Sequence, residues 1–374
     1  MRKVMTIVGT RPELIKMSRV IAALDRETSH YLVHTGQNYD YELNQVFFDD
    51  LGIRKPDAFL NAAGRNAAQT IATVIAKSDE ILERETPEAV LLYGDTNSCL
   101  AVVAAKRRKI PVFHFEAGNR CFDQRVPEEL NRKIVDHLAD VNFVLTEHAR
   151  SYLLAEGLRP ETIFKTGSHM REVLDFYMPQ IQESQVLQRL GLEPKRFFVV
   201  SAHREENVDS PENLQDLLDA LNALVNEYNI PVIVSTHPRT RKQLDQRGGR
   251  HLHKQIIFSK PFGFHDYIQL QLNARCVLSD SGTITEEASL MNIPAVTIRN
   301  AHERPEGMDT GTLIMSGLKP ERVLDAVRAV TRQYSASARP TLSVIEYENP
   351  HVSNQVIRVL LSYIDYINRT VWCK

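Results

Sequence analysis

Acidic side chains follow short apolar runs in the first half of the sequence, where they could do proton chemistry. Asp95 and Glu116 each come directly after such a run, and Glu128 opens an amphipathic segment a little further on. Carboxyl groups that lie close together can hold different protonation states, so this set suits proton transfer on two faces of one substrate. Asp95 could instead cap the next helix, and Glu128 or Glu129 could be an ordinary acid of a first helical turn.

The stretch from Leu278 to Glu306 contains the residues of a phosphate-binding turn. Ser281, Gly282 and Thr283 follow an apolar run and precede good helix formers, so a helix is predicted to begin there. A helix start directs free N–H groups and the positive end of its dipole at a ligand, which is enough to bind a phosphate. The alternative is an ordinary turn between a strand and a helix.

Basic side chains and a histidine occupy comparable positions. Arg11, in the GTRPE segment, could reach an anionic ligand, with Lys16 further along the same side of the predicted helix. The alternative is simply a well-started helix, with Pro12 at its first position. His203, in the AHREEN segment, belongs either to a salt-linked loop or to a site where it stabilises a leaving phosphate or carries a proton.

Two series of alternating strands and helices must position these residues. Short β-branched runs alternate with longer amphipathic ones throughout, which predicts an α/β protein with two Rossmann-like doubly wound domains. The polar segments follow the predicted strands, and open parallel sheets bind ligands beyond the carboxyl ends of their strands. Two such sheets facing each other would enclose one cleft. The domains are predicted at residues 1–168 and 169–350, followed by a helix at 351–374 that caps the second domain or crosses back to the first.

The composition favours a small-molecule partner. The chain of 374 residues has a net charge of -2, which predicts neither a nucleic-acid surface nor a polybasic membrane patch. Its four cysteines show no CxxC pair and no metal-ligand spacing, so we expect no metal, no disulfide framework and a reducing, cytoplasmic environment. No segment is long and apolar enough to predict a signal peptide or a membrane span.

Seven motifs in order resemble the non-hydrolysing UDP-N-acetylglucosamine 2-epimerase family. They are GTRPE, GDT, HFEAG, PEELNR, AHREEN, SDSG with the following EE, and ERPE, and the resemblance covers about Val4 to about Gly317. The segments HTGQNYDYELNQVFFDDLGI, GDTNSCLA, FEAGNRCFDQRVPEE and KPFGF resemble the UDP-N-acetyl-L-fucosamine synthase branch, found in capsule and O-antigen gene sets. Two departures agree with that branch: Asn38 stands where the family has a histidine, and Thr283 stands where it has a second glycine.

The resemblance implies a fold of the glycosyltransferase-B type, a homodimer, and chemistry without NAD, metal or a covalent sugar. The implied reaction eliminates UDP to form a 2-acetamidoglycal and adds it back with inversion at C2. For the branch, the substrate is UDP-2-acetamido-2,6-dideoxy-L-talose. For the parent family it is UDP-N-acetylglucosamine, which gives UDP-N-acetylmannosamine.

The resemblance also implies roles for individual residues. The implied catalytic set is Asp95, Glu116, Glu128 and His203, with the acid and the base unassigned. The implied substrate-binding set, in a second domain that binds UDP and a first that works on the sugar, is Arg11, Lys16, Ser281, Gly282, Thr283, Glu287 and Arg304. Within it, the triplet at 281–283 would hold the diphosphate and Glu287 the ribose. The sequence adds Arg132, His237 and Phe262 as further substrate-binding candidates; Phe262 could pack against a flat base or be an ordinary buried loop aromatic. A UDP-dependent glycosyltransferase, a hydrolysing epimerase and a nucleotide-sugar sensor remain alternatives.

Overall fold

A computed structural model describes residues 1–36, 48–236, 240–241, 243–244, 252–300 and 303–374, without the side chains of residues 205 and 206. Asn38 and His237 lie outside the described residues, as does most of a helix expected at 41–51. The chain forms two compact units. The first unit comprises Met1–Phe176 and Glu346–Lys374, and the second unit comprises Tyr177–Ile345.

The first unit contains a parallel sheet of seven strands in the order β3-β2-β1-β4-β5-β6-β7. The strands are β1 (Lys3–Val8), β2 (Ser29–His34), β3 (Ala58–Phe59), β4 (Ala89–Tyr93), β5 (Val112–Phe115), β6 (Val141–Val144) and β7 (Ile163–Lys165). The sequence AVLLY of β4 is buried along its whole length. Such continuous apolar strands are expected where helices cover both faces of a parallel sheet.

The helices of the first unit follow the strands in alternation. They are α1 (Arg11–Glu27), α2 (Ala67–Glu85), α3 (Val102–Arg107) after a 3-10 turn at Asn97–Ala101, α4 (Pro127–Leu138), α5 (Glu147–Ala155), the first part of α6 (Met170–Glu183), and the final helix, α14 (Val352–Thr370). The apolar stripe of α14 includes Val356, Leu360 and Ile364, all buried, and the helix packs against α1. The last helix therefore belongs to the first unit.

The second unit repeats this architecture with six parallel strands in the order β10-β9-β8-β11-β12-β13. The strands are β8 (Phe198–Ser201), β9 (Val232–Ser235), β10 (Ile256–Ser259), β11 (Cys276–Ser279), β12 (Ala295–Thr297) and β13 (Ile314–Met315). The helices are α7 (Val186–Leu190), α8 (Glu205–Val208), α9 (Pro211–Tyr228), α10 (Phe264–Asn273), α11 (Thr283–Met291), α12 (Pro305–Asp309) and α13 (Pro320–Ala336). Separate apolar clusters cover the two faces of the sheet.

The change from the first unit to the second falls inside α6 rather than at residue 168. The segment Met170–Glu183 forms one continuous helix with several fully buried apolar side chains, among them Val173 and Ile181. The Gly-Ser turn that precedes it marks the start of this helix. The return to the first unit comes at Glu346 rather than after residue 350.

In both sheets the order in which the chain adds strands reverses at the centre. From β1 the chain proceeds outward to β3 and returns to β4 on the other side, and from β8 it proceeds to β10 and returns to β11. Ligands of doubly wound sheets bind at this switch point, beyond the carboxyl ends of the two central strands. The predicted fold class, two doubly wound parallel α/β units, is confirmed. Within the described ranges, no helix has the length and apolar character needed to cross a membrane.

Candidate functional site

The switch point of the first unit is held together by a buried glutamate. Glu13 accepts hydrogen bonds from the Gly9 amide (2.7 Å) and the Thr10 hydroxyl (2.9 Å), both in the loop after β1. It also accepts one from the Thr96 hydroxyl (2.6 Å), in the loop after β4. Burial raises the pKa of Glu13 to about 7, against the three hydrogen bonds, and the nearby Asp95 charge adds to this rise. Glu13 can therefore hold a proton near neutral pH.

Asp95, beside Thr96, is held by two side chains of α4. The Nε of Arg132 donates to Asp95 Oδ2 at 2.7 Å, and the Asn131 side chain donates to the Asp95 carbonyl at 2.9 Å. Arg132 is itself almost fully buried. Arg132, predicted as a substrate-binding residue, is thus engaged with a carboxylate of its own unit.

Glu116, directly after β5, accepts hydrogen bonds from α1, from β4 and from its own loop. Lys16 Nζ lies 2.7 Å from its Oε2, and the Tyr93 hydroxyl donates to the same oxygen at 2.6 Å. Asn119 donates to Oε1 at 3.2 Å. The backbone of Glu116 has a φ of +61°, in the left-handed region that non-glycine residues seldom adopt. Backbone strain of this kind concentrates at functional sites.

The neighbouring acids Glu128 and Glu129 differ in burial. Glu129 is fully buried, accepts hydrogen bonds from the Cys121 and Phe122 amides, and pairs with Arg132 at 3.0 Å. It therefore holds the preceding loop in place and is the structural acid of the two. Glu128 is half-buried in the first turn of α4, which is compatible with the predicted role at the site.

A buried polar network supports these loops from below. The His114 ring lies 2.9 Å from Asp136 and 2.8 Å from the Gly94 carbonyl, the residue before Asp95. Asp136 also accepts from the Gly118 amide and from Arg120. Burial raises the pKa of Asp136, but His114 and Arg120 outweigh it, so the pKa lies below its usual value. A fixed anion thus anchors the loops that carry Asp95 and Glu116.

The switch point of the second unit is also organised by a buried acid. Asp280, directly after β11, accepts hydrogen bonds from the His203 and Arg204 amides and from the Asn207 side chain. The His203 ring Nδ1 lies 3.1 Å from its Oδ1. Burial opposes ionisation, but the His203 ring and these donors lower the pKa of Asp280 to about 2. The permanent anion orients the His203 ring and favours a proton on its Nδ1.

The predicted phosphate-binding turn lies beside Asp280 and opens α11. The Ser281 and Thr283 hydroxyls are 3.0 Å apart, and α11 runs from Thr283 to Met291, as the sequence predicted. Gly282 has no side chain to cap the helix, and the first amides of α11 make only long bonds of 3.4 Å, from Thr283 to the Ser281 hydroxyl and from Ile284 to the Ser281 carbonyl. This is the arrangement in which helix starts bind phosphate oxygens.

Charged side chains surround this turn. Arg304 pairs with the fully buried Glu286 at 3.1 Å, and Glu303 pairs with Arg299 at 3.2 Å. A Cβ built on Gly282 would lie within 4 Å of Glu303 and Arg304, so these charges adjoin the turn. Glu287, the predicted ribose ligand, is buried and accepts from Gln271 at 2.7 Å.

The structure thus brings together Asp95, Glu116, Lys16 and Arg132 near the carboxyl ends of the strands of the first sheet. His203, the 281–283 turn and Arg304 gather at the edge of the second. Arg11 is half-buried at the start of α1. Phe262 is half-buried and packs against an apolar cluster of the second unit.

Three residues with central places were not selected by sequence reasoning: Glu13, Tyr93 and Asp280. Glu13 stands in the GTRPE motif and Asp280 in the SDSG motif. The available signal was the same in both cases, since each is an acid within a few residues of the carboxyl end of a central strand. Tyr93 gave a weaker signal, because a tyrosine at the end of an apolar strand is common.

Two cavities of the described chain lie apart from the predicted site residues. Two open cavities of about 350 and 340 Å³ lie on the first unit, near Pro87 and Pro111 and near Asp140 and Tyr366. Neither contains a predicted site residue. Among the described residues, no group of three or more His, Cys, Asp and Glu side chains is arranged to hold a metal ion.

Two doubly wound parallel units, each with polar groups at its switch point, define an α/β enzyme of the glycosyltransferase-B type. The family model described as UDP-N-acetylglucosamine 2-epimerase matches residues 22–361. The chain therefore belongs to the UDP-N-acetylglucosamine 2-epimerase family, and it is a nucleotide-sugar 2-epimerase of the non-hydrolysing, isomerase type.

Relatives and solved structures agree with this assignment. A UDP-N-acetylglucosamine 2-epimerase homolog of Methanococcus maripaludis is 36% identical over 340 residues, covering 87% of this chain and 91% of that protein. The structure of UDP-N-acetylglucosamine 2-epimerase from Rickettsia bellii has a TM-score of 0.94 and 61% identity, covering 100% of both chains. The Methanocaldococcus jannaschii UDP-GlcNAc 2-epimerase, in complex with UDP-GlcNAc and UDP, has a TM-score of 0.89 and 30% identity, covering 96% and 99%.

One relative carries a different substrate in its name. The UDP-2,3-diacetamido-2,3-dideoxy-D-glucuronate 2-epimerase of Pseudomonas aeruginosa is 34% identical over 333 residues, covering 87% of this chain and 91% of that protein. Similarity at this level therefore includes proteins named for more than one UDP-sugar.

Proposed function

We propose that the protein inverts C2 of a UDP-linked 2-acetamido sugar by eliminating UDP and adding it back. The proposal rests on Glu116, an acid directly after β5 that Lys16 and Tyr93 hold in place. Glu116 lies close in the fold to the Asp95–Arg132 pair. Positioned acid and base groups are what an inversion at carbon requires. A module that only bound the nucleotide would need just the phosphate turn.

The chemistry follows from the substrate. No carbonyl acidifies the C2 proton, so its direct removal is very costly. Breaking the bond between C1 and the UDP oxygen first places cationic character on C1, which acidifies C2–H. A base then takes the C2 proton and leaves a 2-acetamidoglycal. In the second half, an acid delivers a proton to the opposite face of C2, and the UDP oxygen bonds to C1 again.

The residues divide between these tasks. We assign acid and base catalysis to Asp95, Glu116 and Glu128. We assign stabilisation of the leaving phosphate to His203. Positioned proton-transfer groups contribute on the order of 10²–10⁴-fold each. The first unit supplies all three carboxyl groups, in the neighbourhood of Glu13 and its raised pKa.

In this proposal the second unit binds UDP, and the first unit contributes additional cations. The N–H groups at the start of α11 receive the diphosphate with Ser281, Gly282 and Thr283, and Glu287 receives the ribose hydroxyls. Arg304 adds a positive charge beside the turn. Further substrate contacts are assigned to Arg11, Lys16, Arg132, Phe262 and His237, the last outside the described residues.

We propose UDP-2-acetamido-2,6-dideoxy-L-talose as the substrate and UDP-N-acetyl-L-fucosamine as the product, in polysaccharide biosynthesis of the capsule or O-antigen kind. The support is the set of branch-like segments in the sequence, including Thr283, whose hydroxyl meets Ser281 in the turn. The second candidate is epimerisation of UDP-N-acetylglucosamine. It is favoured by the name of the Rickettsia bellii protein, with which the chain shares 61% identity.

One experiment tests both reaction and substrate. The purified protein is incubated in heavy water with each UDP-sugar separately, and proton and phosphorus NMR are recorded. We expect C2 inversion with deuterium at C2, faster for the L-talose nucleotide, and without stoichiometric free UDP. Free UDP in stoichiometric amount would indicate hydrolysis, and absence of exchange without an acceptor would indicate a glycosyltransferase. Exchange at the wild-type rate in an Asp95→Asn, Glu116→Gln double variant would refute the catalytic assignment.

We also propose a homodimer in the cytoplasm. Phe122 is 70% exposed and rests edge-on against the Tyr152 ring, and Leu130 on α4 is 65% exposed. Large apolar side chains left exposed in this way suit burial against a second subunit. The four cysteines are all unpaired, which suits a reducing compartment. Light scattering of the purified protein should give twice the monomer mass, and Phe122→Asp should reduce it.

A further inference from the structure

Tyr93 occupies a fixed position at the end of β4. It is 3% exposed and lies opposite Phe115 in the register of β4 with β5. Its ring stacks on Phe115 with centroids 6.2 Å apart, and the edge of His169 meets it at 5.5 Å. These contacts fix the orientation of the ring. Its hydroxyl therefore points toward Glu116, the residue after Phe115.

The hydroxyl and an ammonium group converge on one carboxylate oxygen. Tyr93 donates to Glu116 Oε2 at 2.6 Å, and Lys16 donates to the same atom at 2.7 Å. Distances of this size are typical of charge-assisted hydrogen bonds to an ionised acceptor. A carboxylate oxygen has two lone pairs, so both of those on Oε2 are occupied. The longer bond, 3.2 Å from Asn119, is on Oε1.

The backbone conformation of Glu116 is an independent reason to expect that this residue has a functional role. Glu116 has a φ of +61°, a left-handed conformation that is unfavourable for a residue with a Cβ. The surrounding structure must hold such a residue in place. Lys16 and Tyr93 do so through the side chain, from α1 and from β4.

We propose that Tyr93 is a positioning residue that keeps Glu116 ionised and turns its Oε1 toward the substrate, so that Glu116 acts as the base in one direction of the reaction. This inference rests on the proposed epimerase function. Proton exchange is thereby assigned to Oε1, because the lone pairs of Oε2 are used by Tyr93 and Lys16. Asn119, the weaker donor, is the group that yields when the C2 proton arrives.

The test is Tyr93→Phe, which keeps the ring and its packing and removes only the hydroxyl. Loss of a hydrogen bond to a charged group makes ionisation less favourable, so the acidic limb of the kcat/KM profile should move up by about one pH unit. At neutral pH we expect kcat to fall about tenfold and the affinity for UDP to stay the same. The deficit should shrink as pH rises, since Glu116 then ionises without the hydroxyl.

The pH profile separates positioning from a merely structural role. Among the described residues, Lys16 on α1 and His169 before α6 are titratable neighbours of this pair, and both are unchanged in the variant. A shift of the acidic limb can thus be assigned to the hydroxyl. Tyr366→Phe serves as the matched control, because Tyr366 lies on α14 against Tyr363 and away from the site residues.

A second variant covers the case in which Tyr93→Phe does not fold. Fluorotyrosine at position 93 keeps the hydroxyl and makes it a stronger donor, so the acidic limb should move to lower pH. An unchanged profile in either variant, or a loss of activity that is the same at every pH, overturns the proposal. Wild-type protein that exchanges no C2 deuterium would instead refute the epimerase function, which keeps the two failures distinguishable.

Discussion

At each switch point a buried acid joins two loops, but the pKa values of the two acids are shifted in opposite directions. In the first unit, Glu13 joins the loops after β1 and β4, and in the second unit Asp280 joins the loops after β8 and β11. Both acids are buried. Glu13 has hydroxyls and one amide as partners and Asp95 as a neighbour, and its pKa is raised to about 7. Asp280 has the His203 ring and several N–H donors, and its pKa is lowered to about 2.

The difference follows from the partners and not from burial, since desolvation acts on both acids in the same direction. A carboxyl that titrates near neutrality suits a unit in which protons are exchanged. A permanent anion suits a unit that holds loops, a histidine and a phosphate turn in fixed positions. We therefore expect changes at the first switch point to affect proton transfer and its pH dependence, and changes at the second to affect binding and stability.

The largest expected effect is on catalysis by the first unit. Glu116→Gln keeps the size of the side chain but removes its charge, so C2 deuterium exchange should fall by roughly 10²–10⁴-fold. UDP affinity, measured by calorimetry, should change little. Glu147→Gln, an exposed acid in the first turn of α5, is the matched control and should keep full activity. Equal losses of UDP binding and exchange would show that the two units do not divide these tasks.

The second unit should respond through stability and nucleotide affinity. Arg304→Met leaves Glu286 buried without its cation at 3.1 Å, so the free energy of unfolding should fall by about 3–5 kcal/mol. UDP should also bind more weakly. Arg328→Met is the control, because the Arg328–Glu227 pair is largely exposed and should contribute about 1 kcal/mol or less. Equal destabilisation in the two variants, by urea titration, would argue against a special role for the buried pair.

The pH dependence of stability tests Glu13 directly. The unfolded chain releases this proton near pH 4.5 and the folded chain near pH 7, so the folded state binds more protons between these values. The free energy of unfolding should therefore fall by about 3 kcal/mol as pH rises through this window. In Glu13→Gln this part of the slope should disappear. An identical slope in variant and wild type would mean that Glu13 titrates normally.

Asp280 should produce the opposite trend at lower pH. Its folded pKa of about 2 lies below the usual 3.8, so its contribution is complete above pH 3.8 and is lost as pH falls toward 2. The contribution amounts to about 2 kcal/mol. Asp280→Asn should remove this part of the acid dependence and loosen the His203 ring, visible in its NMR signals. If the acid dependence survives in the variant, another carboxyl is responsible for it.

The sequence predicted local features well. The start and end of α11, the polar turn before it, and the alternation of strands and helices are short-range patterns of apolar runs and turn residues, and they are present in the structure. The two-residue edge strands β3 and β13 were not predicted, because two residues show no periodicity. The helix α6 was not predicted, although side chains such as Val173 and Ile181 on it are buried.

The site shows the same limit at single residues. Glu128 and Glu129 are neighbours in one helix start and have the same local signal, so only the packing of the preceding loop on Glu129 separated them. Likewise, Glu13 satisfied the rule for a first-turn acid, which concealed its contact with Thr96.

The sequence by itself determined the fold class, the family and most candidate residues, because these depend on patterns within a few residues of one another. The tertiary structure alone decided which groups meet. Lys16 and Glu116 are 100 residues apart, and Asp95 and Arg132 are 37 apart. Their contacts exist because β1, β4 and β5 are adjacent in the sheet. Strand order fixes these neighbours, and the donors and charges that they bring together set the protonation of the acids at each switch point.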